Sequence, residues 1–163
     1  MKYLKLIIVY LLLFTSCVFG QPNEDWPKVN SEKYNKRLNF LLSGSVPFIE
    51  VSDLKAKKNV AILDTRAKDE FDISRIPGAI YVGPNFDQQT IELLKLENRE
   101  IVVYCSVGYR SEKYGEELIN AGYKNVYNLY GGIFEWVNLE NPLENSDSKN
   151  LYKLHTYLSL IHI

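Results

Sequence analysis

Cysteine and histidine are scarce, with two of each among 163 residues. That excludes a disulfide-stapled scaffold and leaves too few ligands for a Cys/His zinc site. Neither sign of charge is in excess: 19 Lys and Arg stand against 20 Asp and Glu, a formal net charge of −1. The balance gives no basic footprint for nucleic acid and no polybasic patch for a membrane. The apolar run from Leu6 to Phe14 falls short of the roughly 20 residues that a spanning helix needs. What is present is core-forming material. Hydrophobic residues make up 46% of the chain, with twelve Tyr and seven Phe, and this composition fits one compact domain rather than a disordered chain.

The two ends read differently from the middle. Lys2 and Lys5 precede Leu6 to Phe14, and small residues follow, the three-part layout of a secretory signal peptide. Two cleavage points compete. Phe14-Thr15-Ser16-Cys17 resembles a bacterial lipobox, in which Cys17 would be lipidated, while Val18-Phe19-Gly20 fits ordinary signal peptidase. Either choice implies an exported, periplasmic domain, held to a membrane only by the signal or a lipid. The segment 21–30, with two prolines and mixed charge, reads as a tether. At the other end, 144–157 reads as an extension. The last six residues, Leu158 to Ile163, match the translation of a sequencing-adapter mosaic end and are expected to be an artefact, which keeps His162 out of any role.

Between Ser31 and Pro142, apolar runs alternate with amphipathic stretches, the rhythm of a parallel α/β domain. Ser31 to Leu42 carries Tyr34, Leu38, Leu41 and Leu42 at helical spacing, with Ser31 as N-cap. Strands are expected at 48–51, 60–63, 79–82, 101–104 and 126–129, with short helices beginning at Ser52 and Gln88. A helix from Arg110 to Asn120 would turn Tyr114, Leu118 and Ala121 inward, and another would follow Gly131-Gly132. Five strands interleaved with helices imply a mainly parallel sheet covered on both faces, a three-layer α/β fold. Ligands of such sheets sit at the carboxyl ends of the strands, where Asp64 and Cys105 fall.

Cys105-Ser106-Val107-Gly108-Tyr109-Arg110-Ser111 links the strongest strand to an amphipathic helix. A cysteine there meets unpaired backbone N–H groups and the positive end of the helix dipole, which favour a nucleophilic thiolate. The bland reading, a buried small hydrophobe, is the commoner fate of a lone Cys. Gly108 allows the sharp bend, Arg110 can bind an oxyanion at two points, and Ser111 can cap the helix or donate to the thiolate. Tyr109 at the loop tip would shape the mouth or simply be exposed. Asp64 could orient a loop amide or Arg110. Arg66 and Glu70, four residues apart, are expected to form an ion pair, and Trp136 to pack in the core.

Cys105-x-x-Gly108-x-Arg110-Ser111 after a hydrophobic strand resembles the active-site loop of the rhodanese family of sulfurtransferases. Leu63-Asp64-Thr65-Arg66, Glu70-Phe71 and Ile76-Pro77-Gly78-Ala79-Ile80 resemble its upstream signature, and Leu129-Tyr130-Gly131-Gly132 with Trp136 and Pro142 its downstream one. One departure stands out: Ser74-Arg75 replaces the Gly-His that the family usually places before Ile-Pro-Gly-Ala. The resemblance implies the rhodanese-like fold, a Cys105 persulfide formed from thiosulfate or a persulfide, a thiol acceptor, and no metal or organic cofactor. Two rivals remain. A persulfide carrier or binding module would lack turnover. Cysteine phosphatases of related fold place five residues between Cys and Arg, whereas four separate Cys105 from Arg110, a tighter cradle better suited to sulfur.

Overall fold

The structure is a computed structural model that describes residues 25–96 and 98–145, and the backbone of 150–151. Cys17, the cleavage points and the terminal six residues lie outside the described residues. In chain order the elements are α1 (Glu32–Leu41), β1 (Phe48–Ile49), α2 (Val51–Ala56), β2 (Val60–Asp64), α3 (Lys68–Ile73) and β3 (Ile80–Tyr81). Then come α4 (Gln88–Leu93), β4 (Glu100–Tyr104), α5 (Tyr109–Asn120), β5 (Val126–Leu129), α6 (Gly132–Asn138), β6 (Leu143–Glu144) and β7 (Asn150–Leu151).

Five strands form one sheet in the order β1-β5-β4-β2-β3, and every pairing in it is parallel. β4, the most apolar strand, lies at its centre, where both faces need apolar cover. Alternation along it feeds two cores. Ile101 and Val103 pack with Ile91 of α4 and Tyr114 and Leu118 of α5. Val102 and Tyr104 pack with Val51 and Leu54 of α2 and with Ile133 and Trp136 of α6. Helices therefore cover both faces, as the periodicity predicts. β6 and β7 make a separate antiparallel pair, and Arg75 bridges to Glu144 through its backbone and by a 3.0 Å ion pair.

A third cluster seats α1. Tyr34, Leu38 and Leu42 pack with Val29, Tyr130 and the active-loop residue Val107, and Ser31 caps the helix by accepting the Tyr34 amide. Residues 26–29 depart from the tether expected of them. Trp26 stacks edge-on against Phe48 at 4.8 Å and Val29 is buried, because α1 leaves an apolar flank that these side chains cover. Smaller corrections follow the same logic. Val51 starts α2 instead of extending β1, since the parallel ladder with β5 ends at Ile49. Ala121, expected inward, is exposed, because α5 ends at Asn120 and the chain turns outward at Gly122. Leu93 points to solvent, whereas Leu96, beyond the end of α4, is buried in the core.

Candidate active site

β4 delivers the chain to Cys105 and α5 begins four residues later. Cys105 is 1% exposed, and its Sγ accepts the Gly108 amide at 3.2 Å. Gly108 is the N-cap of α5 and sits at φ +107°; a Cβ there would meet nothing closer than 3.5 Å. Conformation rather than space therefore calls for glycine at that position.

Three elements hold the loop. From β5, the fully buried Asn128 donates through Nδ2 to the Gly108 carbonyl at 2.9 Å and accepts the Ser111 hydroxyl at Oδ1, 2.7 Å away. From α6, the amides of Ile133 and Phe134 donate to the carbonyls of Cys105 and Ser106 at 3.0 and 3.2 Å. In a planar trans peptide the following N–H lies opposite the carbonyl, so the amides of Ser106 and Val107 face away from α6. From α1, the Tyr34 hydroxyl donates to the Gly131 carbonyl at 2.7 Å, just before the turn into α6. Burial, with the charges of Glu135 and Cys105 adding to it, pushes the Tyr34 hydroxyl far above its ordinary range and keeps it a donor.

Arg110 is not free. Its Nη1 and Nη2 donate to the two oxygens of Glu70 at 3.0 and 3.1 Å, and Nη2 also donates to Ser106 Oγ at 3.0 Å. Ser106 Oγ in turn donates to Glu70 at 3.3 Å. Burial alone would push the Glu70 carboxyl up; hydrogen bonds from Arg110 and the Ala67 amide, with the charges of Arg110 and Arg66, bring it below its ordinary value. The Arg110 guanidinium is raised, first by its hydrogen bond to Glu70.

The expected pair of Arg66 with Glu70 is therefore wrong. The side chain of Arg66 turns back to Asp64, with Nη2 2.6 Å from Oδ2 and Nε bonded to both carboxylate oxygens. Arg66 Nη2 also donates to the Ser74 carbonyl at 2.6 Å. Asp64 touches neither Arg110 nor the loop amides in this network; it accepts the Arg66 amide and the Tyr104 hydroxyl. Both members of the pair are buried, so two-point pairing at short range satisfies charges that would otherwise be costly there. Burial would lower the Arg66 pKa, but the hydrogen bond and charge of Asp64, with the charges of Tyr104 and Glu70, together outweigh it and the net shift is upward. Ser111 does not donate to the thiolate, because its hydroxyl is aimed at Asn128. Tyr109 is half exposed, at 49%, and Trp136 packs in the core as expected, with its Nε1 donating to the Pro142 carbonyl. Where the family usually has Gly-His, Ser74 supplies a carbonyl to Arg66, and Arg75 lies over the Phe71 ring and pairs with Glu144.

Sequence reasoning missed Asn128 and Glu112, and placed Tyr34 on a helix face without the role of its hydroxyl. Glu112 is 1% exposed and accepts the amides of Ser43 and Gly44 at 2.9 and 2.6 Å, tying α5 to the end of α1. Asn128 carried a usable signal: a polar residue at an inward position of a central strand must find buried partners. Among the described residues, no group of three His, Cys, Asp or Glu side chains is placed to hold a metal.

Comparison with known proteins bears on this site. The family model described as "Rhodanese-like domain" matches residues 49–139. The tRNA uridine(34) hydroxylase of Buchnera aphidicola is 33% identical over 109 residues, covering 62% of this chain and 35% of that protein. The chain thus spans about a third of the length of these curated relatives. Thiosulfate sulfurtransferase GlpE of Coxiella burnetii is 29% identical over 91 residues, covering 56% of this chain and 84% of that one. In solution, the rhodanese-like domain of an Anabaena protein has the same fold, with a TM-score of 0.58 at 22% identity over 68% of this chain and 89% of that chain.

Proposed function

Because the chain belongs to the rhodanese-like domain family, we propose that it is a sulfurtransferase that carries sulfane sulfur on Cys105 from a small donor to a thiol acceptor. The observation that carries this reading is the hydrogen bond from Gly108 N–H to Cys105 Sγ, 3.2 Å long, at the start of a twelve-residue helix. An amide donor and a helix N-terminus both favour sulfur in its anionic form. The same groups would hold the charge of a persulfide, one atom longer.

The chemistry takes two displacements. The Cys105 thiolate attacks the outer sulfur of the donor. The new Cys105 S–S bond forms as the donor's own bond to that sulfur breaks, and the leaving group (sulfite from thiosulfate, a thiolate from a persulfide) takes the electron pair. An acceptor thiolate then attacks the terminal sulfur, and Cys105 leaves as thiolate. Ser106 and Val107 amides, turned away from α6, are positioned to add donors to the same anion. The tight loop favours sulfur over phosphate, because only four residues separate Cys105 from Arg110 and the guanidinium is engaged by Glu70. A relative named for uridine hydroxylation and one named for thiosulfate sulfur transfer both align with this chain; the sulfur-transfer reading here rests on the surroundings of Cys105.

We also propose that the protein is exported, on the layout of Lys2, Lys5 and the apolar run Leu6 to Phe14. Steady-state sulfur transfer to a thiol tests the reading. Turnover that disappears in Cys105→Ser supports it, and turnover unchanged by that substitution contradicts it.

A further inference from the structure

Glu70 does two jobs with one carboxylate. It stands three residues after Ala67 at the start of α3 and reaches back to accept the Ala67 amide at 3.1 Å, the return half of a capping box. The reach also aims the carboxylate across the site. There it takes both Arg110 nitrogens in a fork at 3.0 and 3.1 Å, and the Ser106 hydroxyl at 3.3 Å. Arg110 and Glu70 side chains are 39% and 36% exposed, so solvent and small solutes can reach the pair from outside.

The loop cation nearest Cys105 is therefore neutralised before any donor arrives. A donor with a sulfonate end would have to displace Glu70 from Arg110 and would also meet a full like charge at close range. A hydropersulfide, R–S–SH, presents no oxyanion and needs neither concession.

We propose that Glu70 is a donor-specificity residue: by occupying Arg110 it turns the Cys105 site away from doubly charged donors such as thiosulfate and toward hydropersulfides. The inference rests on the sulfur-transfer reading above and names the substrate class of that same site. In the favoured reaction the Cys105 thiolate attacks the terminal sulfur of R–S–SH, and the Cys105–sulfur bond forms. The R–S bond to that sulfur breaks, and R–S⁻ leaves with the electron pair and takes a proton from water. No oxidant or reductant is required.

The test compares two donors in wild type and Glu70→Gln: thiosulfate, and the hydropersulfide of 2-mercaptoethanol, which has no charged group besides its sulfur. Gln keeps the length of the side chain and removes the charge. The ratio of kcat/KM for thiosulfate to that for the hydropersulfide should rise about fivefold, the order expected for one half-exposed charge. An unchanged ratio, with sulfur still loaded on Cys105, overturns this inference alone. Loading of Cys105 by neither donor in either protein removes the sulfur-transfer reading and this inference with it. Should Glu70→Gln fail to fold, wild type still decides the matter through sulfate, a tetrahedral dianion that cannot donate sulfur. Millimolar sulfate is expected to leave the hydropersulfide reaction unaffected, and competitive inhibition by it would show Arg110 open to oxyanions.

Discussion

Gly132 presses its backbone against the carbonyl of Cys105: a Cβ on Gly132 would lie 2.4 Å from that oxygen, and 2.7 Å from the carbonyl oxygen of Ser106. Neither neighbour can retreat, since both carbonyls are bonded to the first turn of α6. Gly132 also holds φ at +57°. Gly132→Ala should therefore cost about 2–3 kcal/mol or more by overpacking, read from denaturant unfolding. A loss under about 0.5 kcal/mol, the range of an ordinary surface change, would contradict the close approach.

The Asp64–Arg66 pair predicts a stability effect, not a catalytic one. Removing Asp64 would leave Arg66, 3% exposed, charged and without its carboxylate. Asp64→Ala should destabilise by about 3–5 kcal/mol, the usual cost of breaking a buried pair. Tyr104→Phe removes the hydroxyl that joins Asp64 to the Ile76 amide and should cost about 1–2 kcal/mol. Thermal or denaturant melts check both, and unperturbed melts in Asp64→Ala would show the pair to be irrelevant to folding.

Acid should weaken the Glu70–Arg110 clamp in a defined direction. The folded pKa of Glu70 lies below its ordinary value of 4.5. Its stabilising contribution is therefore complete above that value and is lost as pH falls through the lower, folded value. The melting difference between wild type and Glu70→Gln should be constant from neutral pH down to about pH 5 and shrink below it. Because the pair is more than a third exposed, the difference should be small throughout. A difference that grew on acidification would reverse the sign and refute the clamp as described.

Export can be checked by fractionation. If Cys17 is lipidated, the wild-type protein should be found with membranes, and Cys17→Ala should move it to the soluble fraction. A soluble mature protein beginning at Gln21 would indicate ordinary cleavage instead, and an unprocessed cytoplasmic protein would contradict export.

The sheet was legible in the sequence because each strand is short, apolar and bounded by polar or Gly/Pro breaks, and because β4 is apolar on both faces. The loop was legible because Cys105, Gly108 and Arg110 sit at one strand-to-helix junction. The charge partners were not. Arg66 and Glu70 have helical spacing, but α3 starts only at Lys68, so Arg66 lies in the preceding loop and its side chain is free to turn back to Asp64. Glu70 then finds Arg110, forty residues away, a contact that only the tertiary fold creates. Tyr34 illustrates the same limit. Its spacing announces a buried helix face, yet nothing local shows that its hydroxyl anchors Gly131, ninety-seven positions on.

The most direct test of sulfur transfer is the intact mass of the purified protein after brief exposure to a hydropersulfide donor and removal of excess reagent. The account predicts one added sulfur atom on wild type, located at Cys105 by peptide mapping and lost on adding a thiol acceptor. It predicts none on Cys105→Ser. Wild-type protein that takes up no sulfur, or a Cys105→Ser variant that takes up as much, would contradict it.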